Sequence, residues 1–395
     1  MNHSAELADL APPLAGLRVL ELASVLAGPQ VGQFLAELGA EVLKIEHPGT
    51  GGDVTRNWKT ATEDATATTS AYFAAANWGK TSRGLDLTTA AGRAAFRALA
   101  ARADIIIASY KPGDAEKLGV DYATARAENP GLIYAHLTGY GPGSGRAGYD
   151  AVLQAETGFM HLNAAVGADG TVGEPQKMPV ALIDLLAAHQ LKEGILTALY
   201  RRARTGQGAL VEVSLAQSAL ASLANQATTW LVAGVNPQPL GSGHPSIVPY
   251  GTVLTAADGT RLVLAVGSDR QFQALCAALD CPELAADARF ATNAGRVQHR
   301  AALAPLLTAM VAAHDGPALL AELEKCHVPA GTVRDVAQAL ATPEAAILLL
   351  RDPTTGRPGG VRTAVFRLDG IDLQVPLNPP PGLEKPTQDV RTWGE

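Results

Sequence analysis

The sequence predicts an α/β fold with a large domain built on a parallel sheet and a smaller α+β domain. In the first half of the chain, short apolar runs alternate with helical patterns, which is typical of a parallel sheet. A stretch rich in Gly and Pro, 233–250, then separates this region from one with a hairpin pattern. With 395 residues, 47% of them hydrophobic, the chain has enough material for two cores.

The first strand is predicted at Leu17–Leu22. A helix follows over Gln30–Leu38, since Pro29 suits a first turn and Gly39 provides a stop. Ala40–Ile45 is the second strand. This strand–helix–strand unit is expected to be parallel and right-handed.

The same alternation continues to about residue 232, which predicts a Rossmann-like sheet. The predicted elements are a turn at Asn77–Ser82, strands at Arg83–Leu87, Asp104–Ala108, Leu132–Leu137 and Leu210–Leu215, and helices at Thr89–Ala101 and Gln217–Val232.

The second half reads as a hairpin over Thr252–Val266, turning at Asp258-Gly259, followed by helices. These helices are predicted at Arg270–Leu279, His299–Ala313, Ala318–Glu324 and Asp335–Leu340. We therefore divide the chain into the N-terminal part of the large domain (1–232), a linker with a glycine loop (233–250), the small domain (251–335) and a Pro-rich C-terminal segment (336–395). That last segment is expected to return to the large domain or to a partner.

Composition narrows the function. The net charge of −7 argues against nucleic acid or an anionic membrane as the main partner. Cys276, Cys281 and Cys326 lack the spacing of a zinc site or a disulfide framework. The polar, acidic start does not read as a signal peptide, and no apolar run reaches membrane-spanning length, so we expect a cytoplasmic protein.

One acid stands out within Met178–Gly208. Asp184 follows the apolar run Val180–Ile183 and opens a long amphipathic helix, which ends in a basic cluster and Gly206. One reading is an ordinary N-cap aspartate. The other is a carboxylate that the helix N-terminus holds ionised in an apolar pocket, ready to act as a nucleophile.

The sequence does not match the common motifs for nucleotide cofactors, serine hydrolases or metalloproteases. Gly143, Gly145 and Gly148 match GxGxxG but do not lead directly into the helix of a first βα unit, so a nicotinamide cofactor is not expected. Walker, GxSxG and HExxH sequences are absent from the chain. His189 does not share a helix face with Asp184, and no metal site is expected.

Two glycine-rich loops remain, Gly139–Asp150 and Gly241–Pro245. Such loops are often plain turns. They can also bring backbone N–H groups close to an anion, and after a carboxylate attacks a thioester such donors can hold the developing oxyanion.

Together these features resemble the class III CoA-transferases of the CaiB/BaiF type, which include formyl-CoA transferase, carnitine CoA-transferase and α-methylacyl-CoA racemase. The resemblance covers nearly the whole chain. It is carried by residues 14–58, YF…NWGKTSRGLDL, ADIII…KPGDAEKLGV, NPGLIYAHLTGYGPGSGRAGYD, the Asp184 segment through RRARTGQG, HPSIVPYGTV…DG and VPAGTVRDV.

The resemblance implies a mechanism and an assembly. Asp184 is the implied catalytic residue, forming mixed anhydrides and an aspartyl-CoA thioester while CoA passes from an acyl-CoA donor to a carboxylic acid acceptor. CoA serves as co-substrate without a metal. Such intermediates hydrolyse easily, so water must be kept out, and the loop Gly241, Ser242 and Gly243 resembles the family's mobile loop. Two chains are expected to interlock as a homodimer.

The resemblance also carries CoA-contacting positions onto this chain. These are Val25, Ala27, His47, Leu85, Ser109, Tyr110 and Lys117, with Tyr149 and Asp150 at the end of the first glycine loop. Arg56 and Trp58 are expected to line the mouth of the site. Lys80, Arg83, Lys111 and Lys117 are candidate partners for the anionic CoA, and Arg146 for an acceptor carboxylate.

Departures from the family refine the expectation. Leu26, His47 and Ser109 replace a glutamine, an arginine and an asparagine of formyl-CoA transferase, and Leu26 favours apolar acyl groups over oxalate or formate. Tyr149 stands where the racemase branch has a histidine. A phenol carries protons poorly near neutral pH, so transfer is favoured over racemisation of a 2-methylacyl-CoA. A third possibility is an acyl-CoA-binding protein without turnover.

Overall fold

A six-stranded parallel sheet organises the first of two units into which the structure divides. The structure, a computed structural model, describes residues 12–167 and 170–384. Its strands are β1 (Arg18–Glu21), β2 (Glu41–Glu46), β3 (Lys80–Gly84), β4 (Ile105–Ala108), β5 (Ile133–Thr138) and β6 (Ala209–Ser214). They lie in the order β3-β2-β1-β4-β5-β6, and every neighbouring pair is parallel. This order reverses between β1 and β4, as in a Rossmann-like doubly wound sheet.

Helices and short strands complete this unit, which comprises described residues 12–157, 178–233 and 346–384. The helices are Ala27–Glu37, Ala71–Ala74, Ala90–Ala100, Asp114–Leu118, Tyr122–Glu128, Asp150–Glu156, Leu182–Thr205, Leu215–Ala221 and Ala224–Ala233. Two 3₁₀ turns lie at Pro48–Thr50 and Val54–Asn57. Two short antiparallel pairs lie near the C-terminus, Leu349–Arg351 with Pro358–Val361 and Arg367–Leu368 with Ile371–Asp372.

The third strand corrects the sequence-based prediction. We expected a turn over Asn77–Ser82 and a strand over Arg83–Leu87, but β3 occupies Lys80–Gly84. Its polar residues concealed the strand. Lys80 is buried, and its Nζ lies 2.7 Å from Glu21 Oε2 on β1. A buried charge that is paired in this way is tolerated inside a sheet domain.

The helix predicted over Gln217–Val232 is also corrected. It divides into Leu215–Ala221 and Ala224–Ala233, and Ala224 adopts a left-handed backbone conformation with φ of 45°. A non-glycine residue in that region cannot continue a right-handed helix. By contrast, the long helix after Val180 is confirmed over Leu182–Thr205, and it ends at Gly206 with φ of 71°.

The C-terminal segment packs against the first helix of this unit. Glu37 is buried, and its carboxylate accepts hydrogen bonds from the N–H groups of Thr363 and Ala364, each at 2.8 Å to the nearer oxygen. The Val375 N–H donates to the Glu37 carbonyl oxygen at 2.9 Å. A buried carboxylate thus satisfies backbone donors that would otherwise be unpaired.

The second unit comprises described residues 158–167, 170–177 and 234–345 and has its own core. Its antiparallel sheet has the order β7 (Tyr250–Thr255), β8 (Arg261–Ala265) and β9 (Ala330–Thr332). The predicted hairpin is therefore confirmed, and β9 is a further strand. Its helices are Phe159–Leu162, Asp269–Ala278, Pro282–Ala286, Asn293–Gln298, Arg300–Val311, Gly316–Lys325, Val336–Leu340 and Pro343–Ala346.

The two units differ from the predicted domain boundaries, which stay a prediction. Described residues 158–167 and 170–177 lie within the predicted large domain but group with the second unit. Residues 234–250 of the predicted linker and 336–345 of the predicted C-terminal segment also group with the second unit. Within the described part of the chain, no single helix has the length and apolarity of a membrane span. Only the sharply bent pair Arg300–Val311 and Gly316–Lys325 meets that test, when both helices are counted together.

Candidate active site

The carboxyl ends of the parallel strands carry most of the residues singled out from the sequence. Val25 follows β1, His47 follows β2, Leu85 follows β3, Ser109 follows β4 and Tyr149 follows β5. Ligands of doubly wound sheets bind at this edge, where the strand order reverses. Here the reversal lies between β1 and β4, and the Ser24 N–H donates to Ser109 Oγ across it at 3.2 Å.

The turn after β1 is held in an unusual conformation. Val25 has φ of 71°, and for a β-branched residue this costs on the order of 1–3 kcal/mol. Its N–H lies 3.2 Å from Asp53 Oδ2, and Asp53 is only 5% exposed. The buried Lys44 ammonium lies 3.0 Å from the same oxygen and donates to the Ala23 carbonyl oxygen at 2.8 Å.

This arrangement keeps Asp53 ionised. Burial acts to raise the pKa of Asp53, but the charge of Lys44 and the hydrogen bonds from Thr55 outweigh it and hold that pKa below its usual value. A charged acceptor makes the stronger hydrogen bond to Val25.

The N-terminus of the Asp184 helix is fixed by the helix Asp150–Glu156. Asp150 Oδ1 accepts from the Ile183 N–H at 2.8 Å, and Asp150 Oδ2 accepts from Gln154 Nε2 at 2.7 Å. Gln154, which is buried, also accepts from the Met178 N–H through Oε1 at 2.8 Å. The chain entering the Asp184 helix is therefore anchored just before the aspartate.

Asp184 itself differs from both expectations. The N-cap residue is Ala181, and Asp184 is the third residue of the helix, so the N-cap interpretation is wrong. Burial, followed by the negative charge of Asp150, raises the pKa of Asp184 to about 7. The expectation that the helix N-terminus keeps this group fully ionised is therefore wrong as well. Among the described residues its carboxylate has no hydrogen-bond or ion-pair partner.

Tyr72 interacts electrostatically with these acids and forms an aromatic pair with Trp58. Trp58, which is 43% exposed, packs edge-to-face on Tyr72 with ring centroids 5.0 Å apart. Burial and the charges of Asp184, Asp150 and Asp53 raise the pKa of Tyr72, so its phenol stays protonated and can donate a hydrogen bond. The charges of Asp184 and Asp150 therefore act on the Tyr72 phenol, and Trp58 packs against the Tyr72 ring.

The remaining predicted CoA-contacting positions, and the predicted acyl-pocket residue Leu26, vary in exposure. Leu26 and Ala27 are buried at the start of the first helix, and Tyr149 is 65% exposed. Burial raises the pKa of the Tyr110 phenol to about 12. His47 Nε2 lies 3.4 Å from Asp86 Oδ1, and Lys117 Nζ lies 2.9 Å from Asp114 Oδ1 on the same short helix.

Several expected cations are already occupied by internal partners. Lys80 is buried against Glu21 and does not face a CoA phosphate. Arg56 is buried, pairs with Glu46 and stacks on Phe73 with its guanidinium 3.8 Å from the ring centroid, so it does not line the mouth of the site.

Two further basic residues differ in their surroundings. Arg146 pairs with Glu156 and lies 4.0 Å over the Tyr140 ring. Lys111 remains exposed.

The two glycine loops have different structures. Gly139 and Gly148 touch at the base of the first loop, where a Cβ on Gly148 would lie 2.2 Å from Gly139 Cα. The second loop belongs to the second unit. There Gly241 has φ of 57°, the Gly243 N–H donates to the Leu240 carbonyl oxygen at 3.0 Å, and Ser242 is exposed. The mobility of this loop stays a prediction.

Sequence reasoning missed Tyr72, Asp53 and Gln154. Tyr72 lies in a four-residue helix that has no periodic signal. Asp53 has a visible signal, since an acid two residues before Thr55 suggests a cap, and it does cap the 3₁₀ turn. Nothing local in the sequence indicates that Asp53 also binds Val25 or that Gln154 anchors Met178.

Comparison with known proteins shows the family of this chain. The model of "CoA-transferase family III" matches residues 14–386. The chain is 38% identical to the succinate–glutarate CoA-transferase of Agrobacterium fabrum, over 90% of this chain and 89% of that protein. The chain belongs to CoA-transferase family III.

Two further comparisons agree with the family assignment. This family III member is 34% identical to the succinyl-CoA:glutarate CoA-transferase of Mus musculus, over 97% of this chain and 86% of that protein. A crystal structure of a CaiB/BaiF family protein from Brucella suis matches with a TM-score of 0.79 and 40% identity, covering 96% of this chain and 97% of the other. The predicted family is confirmed, and the protein is a class III CoA-transferase with CoA as co-substrate.

Within the described ranges no group of three or more acidic, His or Cys residues is placed to hold a metal ion.

Proposed function

We propose that Asp184 carries the transferred CoA as a covalent aspartyl-CoA thioester. The observation that supports this most directly is the Asp184 carboxylate itself, half-buried, without a partner among the described residues, and close to a protonated phenol. A carboxylate with a pKa of about 7 is available in its ionised form near neutral pH and is more nucleophilic than an ordinary aspartate.

The proposed reaction begins when an Asp184 oxygen attacks the thioester carbonyl carbon of the donor. The C–S bond breaks, and a mixed anhydride and CoA thiolate form. The thiolate then attacks the Asp184 carbonyl carbon, which releases the donor acid and leaves aspartyl-CoA. No step consumes ATP, because each acyl bond that breaks is replaced by one of similar energy.

In the second half-reaction, the same steps occur in reverse order with the acceptor acid. Its carboxylate attacks the aspartyl-CoA carbonyl carbon, giving a new anhydride and CoA thiolate. The thiolate attacks the acceptor acyl carbon, so acceptor-CoA forms and the Asp184 carboxylate returns. We assign Tyr72 the role of donor to the oxygen that gains charge in these steps.

The substrates we propose are dicarboxylic acids of four or five carbons and their CoA thioesters. Two of the relatives are named for succinate or succinyl-CoA together with glutarate. Leu26 lies buried at the start of the first helix, which fits the methylene chain of such acids better than oxalate.

The predicted CoA contacts remain part of this proposal. We propose that Val25, Ala27, His47, Leu85, Ser109, Tyr110, Lys117, Tyr149 and Asp150 line the CoA and acyl site. The loop Gly241, Ser242 and Gly243 is proposed to exclude water from it.

The test is intact-protein mass spectrometry after mixing with a panel of acyl-CoAs that includes succinyl-CoA, with and without hydroxylamine. A CoA-sized adduct that hydroxylamine removes and that Asp184→Asn lacks is the expected result. An adduct of equal yield on Asp184→Asn would rule out the assignment.

Racemisation of a 2-methylacyl-CoA is the second candidate, because a pKa of about 7 also suits a general base. The exposed Tyr149 phenol is a poor second proton carrier, which favours transfer. Deuterium from solvent entering the acyl α-carbon, without an adduct on Asp184, would establish racemisation instead.

We further propose a cytoplasmic, interlocked homodimer. The helix Ala224–Ala233 has no buried residue, and Leu231 and Val232 are 78% and 81% exposed. Apolar side chains so exposed are common at subunit interfaces. Sedimentation at micromolar concentration should give a dimer mass, and a monomer mass would contradict this assembly.

A further inference from the structure

The turn between β1 and the first helix is tied down at each of three consecutive residues by a side chain from elsewhere. Lys44 Nζ donates to the Ala23 carbonyl oxygen at 2.8 Å, Ser109 Oγ accepts from the Ser24 N–H at 3.2 Å, and Asp53 Oδ2 accepts from the Val25 N–H at 3.2 Å. These three side chains come from β2, from the residue after β4, and from the loop after β2.

The turn is also sterically tight. A Cβ on Gly28 would lie 2.3 Å from the Ala23 Cβ, so the chain doubles back closely as it enters the helix. Within it, Val25 has φ of 71°, a region that β-branched residues avoid. A backbone in such a conformation persists only where its surroundings hold it, and such residues are concentrated at ligand sites.

The hydrogen bonds of Asp53 fix its carboxylate where it can restrain the Val25 backbone. Its Oδ1 accepts from the N–H and the hydroxyl of Thr55 at 3.0 and 2.8 Å, so the carboxylate cannot rotate freely. The Val25 N–H lies 3.2 Å from Oδ2 and 3.4 Å from Oδ1, so Oδ2 is its nearer acceptor. The same Oδ2 lies 3.0 Å from Lys44 Nζ. Lys44 is itself oriented by Glu21 Oε1, also at 3.0 Å.

We propose that Asp53 is a positioning residue that keeps Val25 in its left-handed conformation and so holds the turn Ala23–Leu26 in the shape that binds the CoA thioester. Asp53 acts through the backbone of Val25 and does not need to touch the substrate. This inference rests on the proposed function, in which Val25 and Ala27 contact CoA.

The decisive variant is Asp53→Asn. An asparagine has one acceptor oxygen where the carboxylate has two. If that oxygen serves Thr55, its NH₂ faces the Val25 N–H and the Lys44 ammonium, which are both donors. The Val25 N–H then keeps only the longer contact, 3.4 Å, to that oxygen, and the residue can relax to a negative φ.

The experiment is a double-mutant cycle on the full-length protein, with CoA itself as the probe and calorimetric titration as the readout. Its members are the native protein, Asp53→Asn, Val25→Gly and the double variant. Glycine adopts a positive φ without steric cost, so at position 25 it needs no hydrogen bond from Asp53 to keep that conformation. We expect Asp53→Asn to weaken CoA binding about tenfold in the native background and less than threefold in the Val25→Gly background.

The matched control is Glu37→Gln. Glu37 is also a buried carboxylate that accepts backbone N–H groups, but it lies at the other end of the first helix and binds Thr363 and Ala364. We expect it to change CoA affinity less than threefold. If Asp53→Asn does not fold, Thr55→Val replaces it, with an expected loss of about threefold that Val25→Gly again cancels.

The outcomes separate this inference from the function on which it rests. An equal penalty of Asp53→Asn in both backgrounds, or an equal loss from Glu37→Gln, would overturn the positioning role while CoA binding by the native protein stands. Failure of the native protein to bind CoA would overturn the proposed function, and the inference with it.

Discussion

Asp150 accepts a hydrogen bond at 2.8 Å from the N–H of Ile183, which is the residue directly before Asp184. This contact brings a second negative charge to the proposed nucleophile. Burial, followed by the charge of Asp150, raises the pKa of Asp184 to about 7. The same carboxylate therefore both anchors the start of the helix and adds to the rise in the pKa of Asp184 that burial causes.

The first prediction concerns the pH dependence of transfer. Asp184 must lose its proton to attack, so kcat/KM for the donor should rise with pH through about 7 and then level off. Asp150→Asn keeps an oxygen for the Ile183 N–H but removes the charge. The midpoint should then fall by about half to one pH unit, and it should stay well above the usual aspartate value because burial is the main cause of the shift.

Glu156→Gln is the control for this profile. Glu156 lies on the same helix as Asp150, but its carboxylate is exposed and engages Tyr140 and Arg146. Its removal should leave the midpoint in place, and an equal fall in both variants would contradict a specific role for Asp150.

The second prediction concerns stability. Between the ordinary pKa of 3.8 and about 7, the folded protein retains a proton on Asp184 that the unfolded chain has lost, so this group lowers stability as pH rises through that window. Asp184→Asn should therefore be more stable than the native protein at pH 8, by roughly 1–3 kcal/mol, and this gain should shrink toward pH 4. Urea unfolding at several pH values measures the gain.

Asp121→Asn should behave in the opposite way. Burial acts to raise the pKa of Asp121, but hydrogen bonds from Thr124 hold that pKa below its usual value, and Asp121 caps the helix Tyr122–Glu128. Asn caps a helix about as well as Asp, but it lacks the charge, so the substitution should lower stability at pH 8, where the ionised Asp121 stabilises the folded state. A pH-independent gain from Asp184→Asn would argue against a buried, protonated aspartate.

The third prediction addresses Tyr72. If its phenol donates to the charge that develops on the substrate oxygen, Tyr72→Phe should lower kcat by about tenfold to a hundredfold while CoA affinity changes little. Steady-state kinetics and CoA titration together measure the two effects. Trp58→Phe, which keeps an aromatic ring against Tyr72, should lower kcat much less, and a Tyr72→Phe variant with native kcat would exclude the donor role.

The fourth prediction tests the base of the first glycine loop. Gly148→Ala places a Cβ 2.2 Å from Gly139 Cα, so the backbone must move, and with it the adjoining Tyr149 and Asp150. Transfer activity should fall at least tenfold. In the same loop, a Cβ on Gly143 meets nothing within 4 Å, so Gly143→Ala should have a much smaller effect on activity. Equal losses would mean that the whole loop, and not its closed base, matters.

Much of the first unit could be read from the sequence, because its strands are short apolar runs between clear helix signals. β1, β2, β4, β5 and β6 lie within or beside their predicted ranges. β3 could not be recognised, since the buried Lys80 is acceptable in a strand because its ammonium pairs with the Glu21 carboxylate of β1, two strands away. The break at Ala224 likewise has no glycine or proline to announce it.

The sequence by itself determined the family, the reaction class and the acid at the start of the long helix, since these depend on motifs and on local periodicity. Only the tertiary structure decided the state of that acid, because its pKa depends on burial and on Asp150, which lies 34 residues earlier in the chain. It also decided which cations are available: Lys80 and Arg56 are held by Glu21 and Glu46. Contacts between residues far apart in sequence set local dielectric and charge, and these quantities are not written in any one segment of the chain.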